Sequence, residues 1–264
     1  MSEAPPSKKL RTSTLLSAAE NDSSFLNAAS ATKQLLAAQD AESRRTAARA
    51  LAAACDNPDD DCEIALRDAL RPLTEMLRGS DGEAEAAVYA LRMFARGETL
   101  RMLLITGAGT IPPLVALLQN GTDAAKENAA GALWHIVNFR TSVSIARAGA
   151  IPPLLALLRD GTEMAKENAA GALCNLMDYN GTNVIAKAGW IPPLVALLQK
   201  GTDMAKEIAA RILRRLAMDA NNKVSIAKAG AIPALVALLR KGTDEAKSMA
   251  AQMLYALSTY SDIQ

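Results

Sequence analysis

Apolar side chains along much of the chain fall three or four positions apart, as Leu154, Leu157 and Leu158 do. This spacing places them on one face of an α-helix, so the pattern predicts amphipathic helices. Closely similar apolar segments begin at Ile111, Ile151, Ile191 and Ile232. The steps between them are 40, 40 and 41 residues. A fixed period of this length predicts a repeat protein.

Each repeat is predicted to contain three helices. The first is short and ends at a glycine such as Gly149, which can take the left-handed conformation of a helix end. The second has Pro152 in its first turn, where the missing N–H is not needed, and ends at Gly161. Thr162 is a suitable N-cap for the third helix, which we expect to run to about Met177.

Six such units are predicted, and the earliest are weaker copies of the later ones. The run at 47–51 matches the run at 169–173. Residues 1–21 are polar and rich in Pro and Ser, so we expect a disordered tail. A solenoid follows over 22–264, and its first unit is expected to lack the short helix and to act as a degenerate cap. The predicted units are 22–57, 58–98, 99–139, 140–180, 181–220 and 221–260.

Composition supports an all-α fold. Roughly a fifth of the residues are alanine, the strongest helix former, and aromatic residues make up only 3% of the chain. A β-sheet protein would need more β-branched and aromatic residues. The 29 basic and 28 acidic residues nearly cancel, so nucleic acid is not expected as a partner.

Little in the sequence indicates catalysis. The phosphate-loop, dinucleotide and zinc-protease motifs are absent, and Cys55, Cys62 and Cys174 lack the spacing of zinc ligands. His135 is the single histidine, and it could approach Cys174 from the neighbouring third helix. No third group orients such a pair. We therefore expect no catalytic residue, metal, cofactor or small-molecule substrate.

Two segments bear on localisation. Residues 102–122 carry no charge, but Gly107, Gly109 and two prolines interrupt them, so we do not expect a membrane span. The cysteine pattern and the absence of an apolar leader at the N-terminus favour the cytoplasm. Lys8, Lys9 and Arg11 resemble a short nuclear-localisation signal, although a tail that simply keeps the protein soluble is the better explanation.

The repeat resembles the armadillo repeat. The resemblance rests on the run at 148–158, which contains Gly-Ala-Ile-Pro, followed by the run at 166–176, and it extends over about 22–260. It implies a right-handed superhelix whose third helices line a concave groove, which binds an extended peptide. HEAT repeats are the nearest alternative, but they have two helices and lack this signature.

The arrays of importin-α and β-catenin are similar, but their binding residues are only partly present. In the family, an asparagine on each third helix binds the peptide backbone, and Asn175 matches that position. His135 and Arg215 stand there in the neighbouring repeats. In import receptors, a tryptophan on the third helix flanks the aliphatic part of lysine side chains. In this chain, glycine or Arg211 occupies that position. The resemblance therefore does not imply nuclear-import function.

Other groove candidates follow from their register. Glu127 and Glu167 lie eight residues before the asparagine position, and Phe139 and Tyr179 lie four residues after it. The glutamates could instead be solvated residues of a first helical turn, and the aromatics could pack under the next loop. Three basic residues depart most from the repeat consensus, and they are Arg211, Arg214 and Arg215.

The arginines predict a positive patch that contacts an acidic or phosphorylated residue. The sequence therefore predicts a non-enzymatic interaction module or scaffold, with an extended acidic segment of a protein partner in the groove. Two alternatives remain: a structural spacer whose groove is unused, and an adaptor subunit that delivers clients to an enzyme complex.

Overall fold

The structure is a computed structural model that describes residues 23–54, 61–96, 105–180 and 189–258. Regular secondary structure within these ranges is helical, which confirms the predicted all-α class. The predicted disordered tail over 1–21, with Lys8, Lys9 and Arg11, lies outside the described residues.

The helices fall into two compact units, Met1–Ala108 and Gly109–Gln264. In the first unit, α1 packs against α2 and α3, and α4 packs against α2 and α3. The bounds of these helices are α1 Ser23–Ala37, α2 Ala41–Ala54, α3 Asp61–Met76 and α4 Asp81–Ala95.

The second unit contains the consensus-like repeats. Its second helices are α5 Ile111–Asn120, α8 Ile151–Asp160, α10 Ile191–Lys200 and α13 Ala231–Lys241. Its third helices are α6 Asp123–Ile136, α9 Glu163–Asn180, α11 Asp203–Leu216 and α14 Asp244–Ser258. Its described first helices are α7 Ser142–Arg147 and α12 Ala220–Lys228.

Stacking follows one rule through the second unit. Each second helix packs against the third helix of its own repeat, and each third helix packs against the third helix of the next. Ala169 and Ala170 on α9 are fully buried, and small side chains let neighbouring helices approach closely. Leu157 is 9% exposed and belongs to the core. The predicted repeat packing is therefore confirmed.

The predicted helix ends at Gly149, Gly161 and Thr162 are also confirmed. Gly149 has a φ of 84°, a conformation that glycine adopts without a Cβ penalty. Gly161 is extended, but a Cβ there would lie 2.5 Å from the Leu157 carbonyl oxygen. Thr162 accepts a hydrogen bond from the Ala165 amide at 3.0 Å and so caps α9.

Two helix predictions need correction. The repeat at 58–98 was expected to have a short first helix and a separate second helix, but α3 is one continuous helix over this region. Arg67, Asp68 and Ala69 stand where other repeats have a left-handed glycine, so the backbone has no residue that favours a break. The third helix α9 ends at Asn180 and not at Met177.

Within the described ranges, no single helix combines the length and apolar composition needed to cross a membrane. The pair α12 and α13 meets both criteria together, but the two helices are bent by 77° at the break between them.

Candidate functional site

The candidate site is the surface formed by the third helices α6, α9, α11 and α14, which we call the third-helix surface. Asn175 lies on this surface at the predicted asparagine position, and its Nδ2 donates a hydrogen bond to the Trp134 carbonyl oxygen at 2.9 Å. Trp134 is in the last turn of α6, where carbonyls lack a partner within the helix. Asn175 therefore caps the preceding third helix.

Arg215 occupies the same position one repeat later and has a similar role. Its Nη2 donates to the Met177 carbonyl oxygen at 3.1 Å, and Met177 is in the last turn of α9. Its Nη1 forms an ion pair with Asp178, and both side chains are half-buried. Asn175 and Arg215 thus join successive third helices, a contact that the sequence reasoning missed.

Cys174 is fully buried and contacts Arg211, whose Nε donates to the Cys174 Sγ at 2.9 Å. Burial raises the pKa of the Cys174 thiol above its ordinary value, although the nearby Arg211 charge opposes this. The unreactive thiol form is therefore favoured at neutral pH. The His135 ring stacks on Trp134, with the ring centroids 5.5 Å apart.

Glycine at the predicted tryptophan position has a packing function. A Cβ on Gly171 would lie 2.3 Å from the indole ring of Trp134 on the preceding third helix. The side chain of Trp134 therefore occupies the space that any residue larger than glycine would need.

Glu127 and Glu167 also contact the next repeat. The Thr162 hydroxyl, which caps α9, donates to Glu127 Oε2 at 2.6 Å. The Thr202 hydroxyl donates to Glu167 in the same way. The buried Asn168 adds a hydrogen bond from its Nδ2 to the Glu127 carbonyl oxygen at 3.1 Å. These glutamates therefore link the start of one third helix to the start of the next.

Phe139 and Tyr179 are both exposed, with 80% and 47% of their surface accessible. Phe139 follows the end of α6, and Tyr179 lies in the last turn of α9. Both aromatic side chains therefore remain accessible to a partner at the ends of successive third helices.

Arg214 differs from the other arginines because its Nε is buried and has no hydrogen-bond partner among the described residues. It lies in the wall of a cavity of about 620 Å³ between α11, α12 and α14. The residues that line this cavity are Arg214, Arg215, Ala217, Met218, Lys223, Gln252, Tyr255 and Ala256. None of them is acidic, so the cavity has a positive wall.

Only part of this cavity could be identified from the sequence. Tyr255 shares its register position with Trp134, Cys174 and Arg214, which marks a variable column. Met218 and Lys223 were not predicted as site residues, because they lie just after α11 and within α12, outside the third-helix register. Across the described ranges, no cluster of three or more His, Cys, Asp or Glu side chains is arranged to hold a metal ion.

A comparison with protein families adds to this geometry. The model of the Armadillo/beta-catenin-like repeat matches residues 101–137 and 143–178. Segments 101–137 and 143–178 thus match the armadillo repeat. No curated protein sequence matches the chain.

Solved structures of armadillo repeat proteins match most of the chain. One designed armadillo repeat protein is 27% identical, with a TM-score of 0.75, and the match covers 86% of this chain and 98% of that one. A second designed armadillo repeat protein, solved in complex with the peptide (KR)4, is 26% identical, with a TM-score of 0.71 and the same coverage. A third match, 27% identical with a TM-score of 0.74, comes from computationally designed armadillo repeat proteins for modular peptide recognition.

Proposed function

We propose that the protein is a non-enzymatic interaction module that binds an extended, acidic segment of a protein partner on its third-helix surface. The similar designed protein that binds (KR)4 supports a peptide ligand, because it has the same repeat architecture. A basic peptide is not the expected ligand here. The third helix α11 instead carries Arg211, Arg214 and Arg215 on the surface that would face the ligand.

The buried Nε of Arg214 is the observation that carries this proposal. Buried polar groups in proteins nearly always have a hydrogen-bond partner, so the Nε of Arg214, which has none among the described residues, is suited to an acceptor that a ligand supplies. A carboxylate or phosphate is the acceptor that suits a guanidinium best, because charge-assisted hydrogen bonds are roughly twice as strong as neutral ones. Arg211 and Arg215 already contact Cys174 and Asp178, which leaves Arg214 as the principal contact.

The remaining candidates fit an extended ligand. A strand advances about 3.3 Å per residue, so about three residues span the roughly 10 Å between neighbouring third helices. Asn175 lies one repeat from Arg215, and its amide oxygen can accept a backbone N–H. Phe139 and Tyr179 offer exposed aromatic surface for ligand side chains.

The test uses the purified chain and fluorescent decapeptides that carry either acidic or basic residues. We expect the acidic peptides to bind and Arg214→Gln to weaken binding by tenfold or more. Arg240→Gln makes the same change of charge at an exposed position on α13, away from the cavity, and should bind as the parent does. Affinity should fall as salt increases, because the contact is ionic and partly exposed. Equal binding by the parent and Arg214→Gln would contradict the proposal.

A structural spacer is the second candidate, and one observation favours it. Each of four candidate residues contacts a neighbouring repeat, so stacking alone explains them; they are Asn175, Arg215, Glu127 and Glu167. A spacer would bind none of the acidic peptides at any salt concentration. For localisation we propose the cytoplasm or the nucleus, which tagging of the full chain with a fluorescent protein would test.

A further inference from the structure

We propose that the cavity beside Arg214 is a subsite for one large apolar side chain of the partner segment, with an acidic residue two positions away along the ligand. This inference rests on the proposed function and specifies the ligand sequence that the surface selects. It is carried by the shape, the apolar walls and the charge of the cavity, and by the way in which it differs from the equivalent corner of the preceding repeat.

The cavity exists because two side chains are short. Between α9 and α11, the equivalent corner is filled by Arg211 and Arg215, which reach across to Cys174 and Asp178. Between α11 and α14, the same two register positions hold Gln252 and Ala256. These side chains do not fill the corner, and a space of about 620 Å³ remains. That volume is within the range of protein ligand sites.

The walls of the cavity are largely apolar and exposed. Met218 is 84% exposed and Tyr255 is 72% exposed, which makes them two of the most accessible large hydrophobic side chains in the described residues. Ala217 and Ala256 add to the apolar lining. Methionine adapts its shape to a guest side chain, and tyrosine offers a rigid apolar face. A leucine or phenylalanine side chain would cover this surface.

The charge of the cavity wall determines which type of residue is preferred at the second ligand position. The cationic residues Arg214, Arg215 and Lys223 line the cavity, and Arg215 also forms an ion pair with Asp178. The nearby Asp219 is held at the start of α12, where its Oδ1 accepts the Asn221 amide at 2.8 Å. An anionic ligand group therefore meets a net positive wall. Carboxylates and phosphates share this chemistry, and the experiment compares them.

The spacing of the two ligand residues follows from strand geometry. Side chains at positions i and i+2 of an extended chain point to the same side and lie about 6.6 Å apart. An apolar side chain between Met218 and Tyr255 would then place the carboxylate two positions away beside Arg214, which lies in the same cavity wall. The surface is therefore expected to prefer an apolar-x-acidic sequence over acidic residues alone.

The experiment measures binding of decapeptide libraries with fixed central residues and random flanks. Three of the four libraries contain Leu-x-Glu, Ser-x-Glu and Leu-x-Gln. The fourth replaces the Glu of Leu-x-Glu with phosphoserine. We expect Leu-x-Glu to bind on the order of tenfold more tightly than Ser-x-Glu, which is the gain typical of burying one leucine side chain. Leu-x-Gln should bind weakly. The ratio between the Glu and phosphoserine libraries identifies the preferred anion.

Three protein variants separate the subsite from the rest of the surface. Met218→Ser removes one exposed wall, and Ala256→Leu fills the cavity while Arg214 is retained. Both should abolish the advantage of leucine but keep the binding of Ser-x-Glu. Met204→Ser is the matched control, because Met204 is also exposed but lies in the first turn of α11. It should bind every library as the parent does, and circular dichroism checks that each variant is folded.

The failure of this inference is distinguishable from the failure of the proposed function. If Leu-x-Glu and Ser-x-Glu bind equally and both depend on Arg214, the apolar subsite is wrong and the acidic-peptide function stands. If the leucine advantage survives in both Met218→Ser and Ala256→Leu, the apolar residue binds elsewhere and the subsite is wrong. If no library binds the parent protein, the proposed function and the subsite are both overturned.

Discussion

The indole of Trp134 lies against Gly171 of the next third helix, so closely that a Cβ on Gly171 would be 2.3 Å from the ring. One repeat later, at the equivalent contact, a small Cys174 meets a long Arg211. Large and small residues therefore exchange sides between successive interfaces. Repeats that are nearly identical in sequence differ at these positions and are consequently not interchangeable.

The first prediction is that Gly171→Ala destabilises the protein. Alanine is favoured over glycine inside a helix by about 1 kcal/mol, so propensity alone would raise the free energy of unfolding. The clash with Trp134 opposes this gain, and overpacking of a well-filled site typically costs about 1–3 kcal/mol. We expect a net loss, measured by urea denaturation.

The same substitution in a Trp134→Ala background provides the control. Without the indole, the new methyl group has room, and Gly171→Ala should then be neutral or stabilising. The difference between the two backgrounds gives the coupling energy of the pair. If Gly171→Ala stabilises the parent protein, the indole does not lie over Gly171.

The second prediction concerns Thr162, which both caps α9 and donates to Glu127 of the preceding repeat. Thr162→Val keeps the shape of the side chain but removes the hydroxyl. Loss of an N-cap typically costs about 1 kcal/mol, so we expect a fall of about that size in the free energy of unfolding. Thr162→Ser retains the hydroxyl and should cost less. A larger loss in Thr162→Ser than in Thr162→Val would show that the methyl group matters more than the hydrogen bonds.

The third prediction is a pH dependence centred on Glu83. The Ser80 hydroxyl and then the Arg44 guanidinium, which donates to Glu83 Oε1 at 2.7 Å, hold the pKa of this buried carboxyl below its ordinary value. A lowered folded-state pKa adds stability above the unfolded pKa of about 4.3, and this stability is lost as pH falls through the folded pKa.

Glu83→Gln tests this dependence by removing the titration. We expect the parent protein to lose more stability than the variant as pH is lowered below about 5, as measured by urea denaturation at a series of pH values. Asp81→Asn is the matched control, because Asp81 lies in the same helical turn but is exposed. Parallel pH profiles for the parent and Glu83→Gln would contradict the prediction.

Much of the fold could be predicted from sequence because its determinants are local and periodic. The left-handed Gly149, the cap by Thr162 and the buried Leu157 each follow from a residue type at a fixed register. The continuous helix α3 also follows from a local determinant. Its repeat lacks the glycine that breaks the others, and this difference is visible in the sequence once the structural role of the glycine is known.

The candidate site was less predictable because its determinants are contacts between repeats. Register places Asn175 and Arg215 at the same position, but it does not show that both reach back to the end of the preceding helix. Nor does it show that Gln252 and Ala256 leave a cavity, since that depends on the length and direction of several side chains together. Contacts between pairs of side chains cannot be obtained from the residue types at single positions of the repeat.

The last prediction separates the two adjacent arginines by their effects on stability. Arg215 pairs with Asp178 and caps Met177, so Arg215→Ala removes a half-buried ion pair and a hydrogen bond to a helix end. We expect a loss of about 1–2 kcal/mol in the free energy of unfolding. Asp178→Ala should show a similar loss, and the double variant should lose less than the two single losses combined.

Arg214→Gln removes a group whose buried Nε has no partner among the described residues, so it should change stability by less than about 0.5 kcal/mol. If Arg214→Gln proves the more destabilising substitution in urea denaturation, Arg214 is held within the fold and is not available to a partner.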